Sequence, residues 1–209
     1  RPDPEARRRV RAELGWRDDV LPVVGILGRF VEEKGLRVLM RAWEAAAPSR
    51  LLLVGGGSLE AELRTWGGGF RDRVRVVTGV PHDRVPDYLN AMDVLVAPSL
   101  TTPRWREQFG RMLVEAMACG VPVVGSDSGE IPHVIGGAGI VVAEGDGDTL
   151  KTALDGLIVD VARRTELSAR GLERARTEFS LPVVARRHLR FFDDILNRNL
   201  TQSRGAAEK

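Results

Sequence analysis

The amino-acid sequence predicts an α/β domain built on a doubly wound parallel sheet. Short apolar runs alternate along the chain with segments of helical periodicity. The runs are apolar on both faces, as strands covered from two sides must be. Glycines close the first two runs, where a strand gives way to a loop.

Taken in order, residues 21–27 (LPVVGIL) form a β-rich run ending at Gly28. Leu36, Leu39, Met40, Trp43 and Ala46 then recur at helical spacing. Residues 50–54 (RLLLV) make a second strand, closed by Gly55-Gly56-Gly57, and Ser58 is placed to cap a helix from Leu59. A third strand covers residues 74–78 and a helix 83–92; a fourth strand (DVLVA) covers 93–97 and a helix 109–118. Residues 121–125 and 138–143 give strands five and six. From about residue 149 the pattern is helical to 199, and Ser180-Leu181-Pro182 reads as a cap with proline in the first turn. Val184, His188, Phe191, Phe192 and Ile195 share one side of that last helix. Residues 200–209 are polar without periodicity and read as a frayed tail, so the expected domain is 1–199 with its terminal helices.

The chain of 209 residues suits one large domain or two small ones and can bury a substantial core. Lys and Arg number 31 against 29 Asp and Glu, a net charge of +2, which gives no basic field for nucleic acid. One cysteine, Cys119, rules out an internal disulfide framework and fits a reducing, cytoplasmic compartment; its apolar neighbours read as a buried thiol. No stretch approaches the ~20 apolar residues of a transmembrane helix. The run Arg7-Arg8-Arg9-Val10-Arg11 has two readings, a solvated helix face or a peripheral seat on anionic lipid. A first residue other than Met leads to the expectation that the chain is part of a longer one.

Doubly wound sheets bind ligands at the carboxyl ends of their strands, and the chemistry-bearing residues of this chain follow strands. Gly28-Arg29-Phe30-Val31-Glu32-Glu33-Lys34-Gly35 lies between the first strand and its helix. Glycine there lets backbone approach a ligand, and Arg29 and Lys34 can straddle a diphosphate. Surface charges offset by Glu32 and Glu33 are the other reading. The loop lacks the glycine-lysine-serine run of a P-loop and the three-glycine dinucleotide fingerprint. Further along, Glu107 precedes a helix whose N-terminus lies near Phe109-Gly110, and Glu115 lies about two turns inside it. At ~1.5 Å per residue the two are up to about 12 Å apart. That is too far for one acid/base pair and suits a grip on two ends of an extended ligand. For Glu115 the competing role is an ion pair with Arg111, and for Glu107 an ordinary helix-dipole partner. No His/Cys ligand cluster is present, so no metal and no cofactor are expected.

Glu107 and Glu115 form a Glu-x7-Glu pair inside EQFGRMLVEAMACGVPVVGSDSGEIP, which resembles the signature of retaining glycosyltransferase family 4. Gly28-Arg29 with Glu33-Lys34-Gly35 is similar to that family's diphosphate loop. LLLVGGGSLEAELR, VVTGVPHDRVPDYLNAMDVLVAPS and GIVVAEGDGDTL have equivalents in the same order. The resemblance runs from about residue 23 to 147 and continues weakly through the terminal helices.

It implies the C-terminal, Rossmann-like half of a GT-B enzyme, holding a nucleoside-diphosphate sugar as co-substrate, with UDP- and GDP-sugars the donors in view. By position, Gly28, Arg29 and Lys34 would meet the diphosphate, and Glu115 the ribose. Glu107 would contact the transferred sugar as the catalytic residue. Phe109, Gly110, Arg111 and Met112 would complete the cradle, and Val80 and His82 would lie at the nucleobase. Gln108 stands where the family commonly has glycine, and His133 where it has glutamate, which leaves the sugar contacts open. The N-terminal acceptor domain, with its histidine, lies outside this sequence. The acceptor, whether sugar, lipid or small molecule, is unread. Two alternatives stand beside the transferase: another GT-B enzyme such as a nucleotide-sugar epimerase, and a module that in isolation binds donor without turnover.

Overall fold

The computed structural model describes residues 1–16 and 20–207, with side chains as far as residue 196. Six strands form one sheet: β1 (Val23–Arg29), β2 (Arg50–Gly56), β3 (Val74–Val77), β4 (Val94–Ala97), β5 (Val123–Ser126) and β6 (Ile140–Val142). The order is β3-β2-β1-β4-β5-β6 and every neighbouring pair is parallel. The chain therefore winds outward from β1 to one edge, returns, and winds outward from β4 to the other. The direction of winding reverses between β1 and β4.

Nine helices are described around it: α1 (Pro4–Glu13), α2 (Leu36–Ala45), α3 (Glu60–Gly68), α4 (Val85–Asn90), α5 (Arg111–Ala118), α6 (Ile131–Ile135), α7 (Gly147–Val159), α8 (Val161–Glu178) and α9 (Leu181–Ala207). Strand side chains alternate between faces, and the core divides by that parity. Val24, Ile26, Leu51, Leu53, Val94, Val96 and Val124 pack on one face with α2, α3 and α7. Val23, Leu52, Val54, Leu95, Ala97 and Val123 pack on the other with α1, α4, α5 and α6. Each such side chain removed from water is worth ~1.5–3 kcal/mol.

The strands fall where the apolar runs predict, with shifted ends. Strand β1 starts at Val23, just past Pro22, which has no N–H to give a ladder. Ser58 does not cap α3. The N-cap is the buried Leu59, whose N–H donates to the Phe30 carbonyl at 2.9 Å, so packing against the β1 loop sets the start. Helix α5 begins at Arg111 because Gly110 has φ 73°, left-handed backbone outside a right-handed helix. The backbone of α9 runs on to Ala207, past residue 199, since extending an existing helix is far easier than starting one. Leu189, Phe191, Phe192 and Leu196 on α9 are exposed.

The basic run lies on α1, where Arg8 and Arg9 are exposed, as a solvated helix face requires, while Arg7 and Arg11 turn inward. Asp3 caps the helix, accepting from the Glu5 and Ala6 N–H groups at 3.0 and 2.9 Å. Arg7 and Arg11 both pair with Asp93, at 2.9 and 2.6 Å, and Arg11 is only 3% exposed. Burial alone would raise the Asp93 carboxyl; Arg11 and Arg7, with the Val23 N–H, hold it below its ordinary value. This knot ties α1 to the amino ends of β1 and β4, opposite the functional crevice. Cys119 is buried, and burial pushes its thiol up, away from the reactive thiolate.

Candidate functional site

Where winding reverses, the loops after β1 and β4 diverge and leave a crevice at the strand carboxyl ends. The β1 loop is fixed from below. Phe30 is buried, its N–H donates to the Gly56 carbonyl at 2.8 Å, and a short 3-10 turn, Glu32–Lys34, carries the chain into α2. The Leu100 N–H donates to the Glu33 carbonyl at 2.8 Å and ties this loop to the one after β4.

Glu107 comes from that second loop and is 8% exposed. Its Oε2 accepts from Lys34 Nζ at 2.5 Å and from the buried Ser99 hydroxyl at 3.3 Å. Its carbonyl accepts from the Glu130 N–H at 3.0 Å. Lys34 Nζ also lies 4.9 Å from the Trp105 ring centroid. Both groups are thus compensated within the protein, which is how a largely buried charge is tolerated. Glu115, inside α5, pairs with Arg111 at 3.2 Å; the two side chains are 29% and 76% exposed. Helix α5 has no side chain capping its N-terminus, and Gly110, Arg111 and Met112 at that end line the crevice. Arg29 is exposed and has no carboxylate partner among the described residues.

These groups surround a hollow of about 480 Å³. Gly28, Arg29, Lys34, His82, Glu107, Phe109, Gly110, Arg111, Met112 and Glu115 line it, as the sequence reading expects of a shared site. Val80 does not. It is half-buried against the core on the α4 side, whereas His82, two residues on, borders the hollow. Leu27, Val85 and Gln108 line the hollow as well. Leu27, the last apolar residue before Gly28, carries a signal for this in its strand-end position; Val85 carries none. The exposed side chain of His133 lies outside the walls, on α6. Among the described residues no group of three His, Cys, Asp or Glu side chains is placed to hold a metal, and no helix is long and apolar enough to cross a membrane.

The fold and the crevice define a doubly wound α/β domain whose mixed-charge site sits at the switch point. More particularly, the chain belongs to the glycosyl transferases group 1 family, whose model matches residues 21–160. It is 32% identical over 191 residues to the GDP-mannose-dependent monoacylated alpha-(1-6)-phosphatidylinositol monomannoside mannosyltransferase of Corynebacterium glutamicum, covering 88% of this chain and 50% of that protein. The chain thus spans about half the length of the curated relatives it matches. The Anabaena protein Alr3699/HepE in complex with UDP shares the fold at a TM-score of 0.81 and 23% identity, over 92% of this chain and 53% of that one. The C-terminal domain of the group 1 family protein LpcC from Francisella tularensis matches at a TM-score of 0.68 and 21% identity, over 86% of this chain and 95% of that domain. The fold is the Rossmann-like half of a GT-B glycosyltransferase, and nothing supports the epimerase alternative.

Proposed function

We propose that this chain is the donor-binding domain of a retaining hexosyltransferase and holds a nucleoside-diphosphate sugar in the β1/β4 crevice. One observation carries the reading: Arg29, Lys34, the α5 N-terminus and both carboxylates of the Glu-x7-Glu pair line a single hollow. The leaving group of such a transfer is a nucleoside diphosphate, and catalysis lies largely in stabilising the charge that develops on its oxygens. Arg29 offers a fork, Lys34 a point charge and α5 its free N–H groups. Glu115 accepts from the ribose hydroxyls, and Glu107 meets the transferred sugar. Leu27, His82 and Val85 supply the half-apolar wall suited to a base. Retention follows the family.

The Corynebacterium relative, by its name, uses GDP-mannose and acts on a phosphatidylinositol mannoside. A GDP- or UDP-sugar donor and a seat beside a membrane are the matching proposals here. The test is a thermal-shift panel of uridine, guanosine and adenosine diphosphate sugars. A donor at 100 times its dissociation constant adds ~2.7 kcal/mol. Absence of stabilisation by any of them would refute the reading. Incubating this chain with its best donor and following nucleoside diphosphate release then separates binding from transfer. Positioning an acceptor is worth ~7–11 kcal/mol of barrier, so slow release is expected from the donor domain alone.

A further inference from the structure

Lys34 meets two side chains of one short segment. Its Nζ lies 2.5 Å from Glu107 Oε2 and 4.9 Å from the centroid of the Trp105 ring, over the ring face. The Lys34 side chain is 14% exposed, so its charge is largely withdrawn from water. The segment that supplies both partners is framed at each end. Thr102 and Trp105 exchange backbone hydrogen bonds, N–H to carbonyl, at 2.7 and 3.2 Å. Before them, the Thr101 N–H and hydroxyl donate to the Glu144 carboxylate at 2.5 and 2.7 Å. After them, the Glu107 carbonyl accepts from the Glu130 N–H. Trp105 is half-buried between these fixed points.

Other cation–ring contacts in the chain clamp the fold. Arg73 lies 4.7 Å from the Trp43 ring, Arg75 5.7 Å from Trp16 and Arg174 5.4 Å from Phe179, and each guanidinium also donates to a backbone carbonyl. Lys34 differs in two ways. It borders the donor hollow, and of its three ammonium protons only the one given to Glu107 has an acceptor among the described residues. Its two partners also treat an incoming anion differently. The Glu107 carboxylate repels it, whereas the indole attracts the ammonium through its quadrupole and has no net charge. The ring can therefore hold Lys34 while phosphate oxygens take the spare protons. It also keeps water from one side of the ammonium, which strengthens the bonds made on the other.

We infer that Trp105 is a positioning residue for the donor diphosphate: its ring seats the Lys34 ammonium at the crevice wall and keeps it there when phosphate competes with Glu107 for its protons. The inference rests on the donor reading proposed above and adds a residue that acts through Lys34 without touching the donor.

Two measurements test it. Lys34, Lys151 and Lys209 are the only lysines in the sequence, so lysine-selective carbon-13 labelling resolves them by NMR. The Trp105 ring current should shift the Lys34 ε-methylene protons upfield. The shift should shrink in Trp105→Phe, vanish in Trp105→Leu and persist in the wild type when UDP, GDP or ADP is bound. An unshifted signal, or a shift lost as the nucleotide binds, would overturn the inference, and neither result depends on a variant that folds.

The second is calorimetry with the same three nucleotides. Trp105→Leu should weaken the one that binds best roughly three- to tenfold, and Trp105→Phe less. In a Lys34→Ala background Trp105→Leu should change affinity by less than about twofold, because the ammonium that the ring seats is gone. A tryptophan with a merely structural role would cost the same in both backgrounds. That equality, or an unchanged single variant, would overturn this inference and leave the donor reading standing. If none of the three nucleotides binds, the donor reading falls and takes this one with it.

Discussion

Lys34 and Glu107, 73 residues apart in the chain, meet with Nζ 2.5 Å from Oε2 across the crevice. The cation proposed for the diphosphate and the carboxylate proposed for the sugar therefore neutralise each other before any donor arrives. A bound diphosphate must share Lys34 with Glu107, whose charge opposes it. Glu107→Gln should accordingly tighten nucleoside diphosphate binding, by roughly fivefold for ~1 kcal/mol of relieved repulsion, while a longer, transfer-competent protein carrying it loses turnover. Calorimetry in which Glu107→Gln weakens the nucleotide would remove Glu107 from this role.

The two crevice cations should differ in what their loss does to the empty protein. Arg29→Ala and Lys34→Ala are each expected to weaken nucleoside diphosphate binding about ten- to a hundredfold, and nucleoside binding much less. Lys34→Ala should also lower the melting temperature, because it strands a buried carboxylate, whereas Arg29→Ala should not. Equal losses for nucleoside and nucleotide would reject the diphosphate assignment.

For Glu115 the observed ion pair with Arg111 decides little about stability. Arg111 is 76% exposed, so the pair sits in water, where such i, i+4 contacts contribute ~0.3–0.5 kcal/mol. Glu115→Gln should leave apo melting nearly unchanged and weaken the nucleotide roughly tenfold or more. A mutant that melts several degrees lower and binds normally would return Glu115 to a structural role.

At the opposite end of the sheet, Asp93 supplies a pH signature. Its carboxyl titrates below the ordinary value, so the stability it adds is complete above the unfolded carboxyl pKa of ~3.9 and is lost as pH falls through the lower folded value. Asp93→Asn removes the carboxylate that Arg7 and Arg11 share and should cost ~3 kcal/mol near neutrality. The gap between mutant and wild type should narrow below about pH 4. Denaturant melts at pH 7, 5 and 3 check it; a gap independent of pH would show that the ion pairs contribute nothing.

Gly129 backs the Glu107 main chain so closely that a Cβ there would lie 2.0 Å from the Glu107 carbonyl oxygen, and its φ is +55°. Gly129→Ala should cost ~1–3 kcal/mol in backbone strain and displace Glu107. Coincident falls in melting temperature and donor response are expected, and a neutral substitution would show that the Glu107 backbone yields freely.

The sheet was legible because its strands are apolar on both faces and its loops concentrate glycine and charge at strand ends. The crevice was legible because Arg29, Lys34, Glu107 and Glu115 follow β1 and β4, the strands at which winding reverses. What local pattern could not carry is pairing at long range. Lys34 finding Glu107, and Arg11 burying itself against Asp93, depend on the sheet bringing distant segments together. Val80 illustrates the same limit: the resemblance places it with His82 at the nucleobase, yet it packs half-buried against the core and does not line the hollow. The cap expected at Ser58 yielded to burial of Leu59, tertiary packing outweighing a local signal. The bridge between Thr102 and Trp105 has no alternation to announce it.

The strand order also assigns the crevice a part in folding. Strands β1 to β3 and strands β4 to β6 are each assembled from neighbours in sequence, and the halves join where β1 meets β4. The β1–β2 register spans Val23↔Arg50 to Arg29↔Gly56, whereas β1 and β4 pair at Val24↔Val94 and Gly25↔Leu95. That ladder of two pairs is the shortest in the sheet and forms the seam between the halves. A ligand touching the β1 loop on one side and Glu107 to Glu115 on the other crosses this seam as a staple. Its presence should be recorded, far from any atom it touches, as slower amide hydrogen exchange at the centre of the sheet.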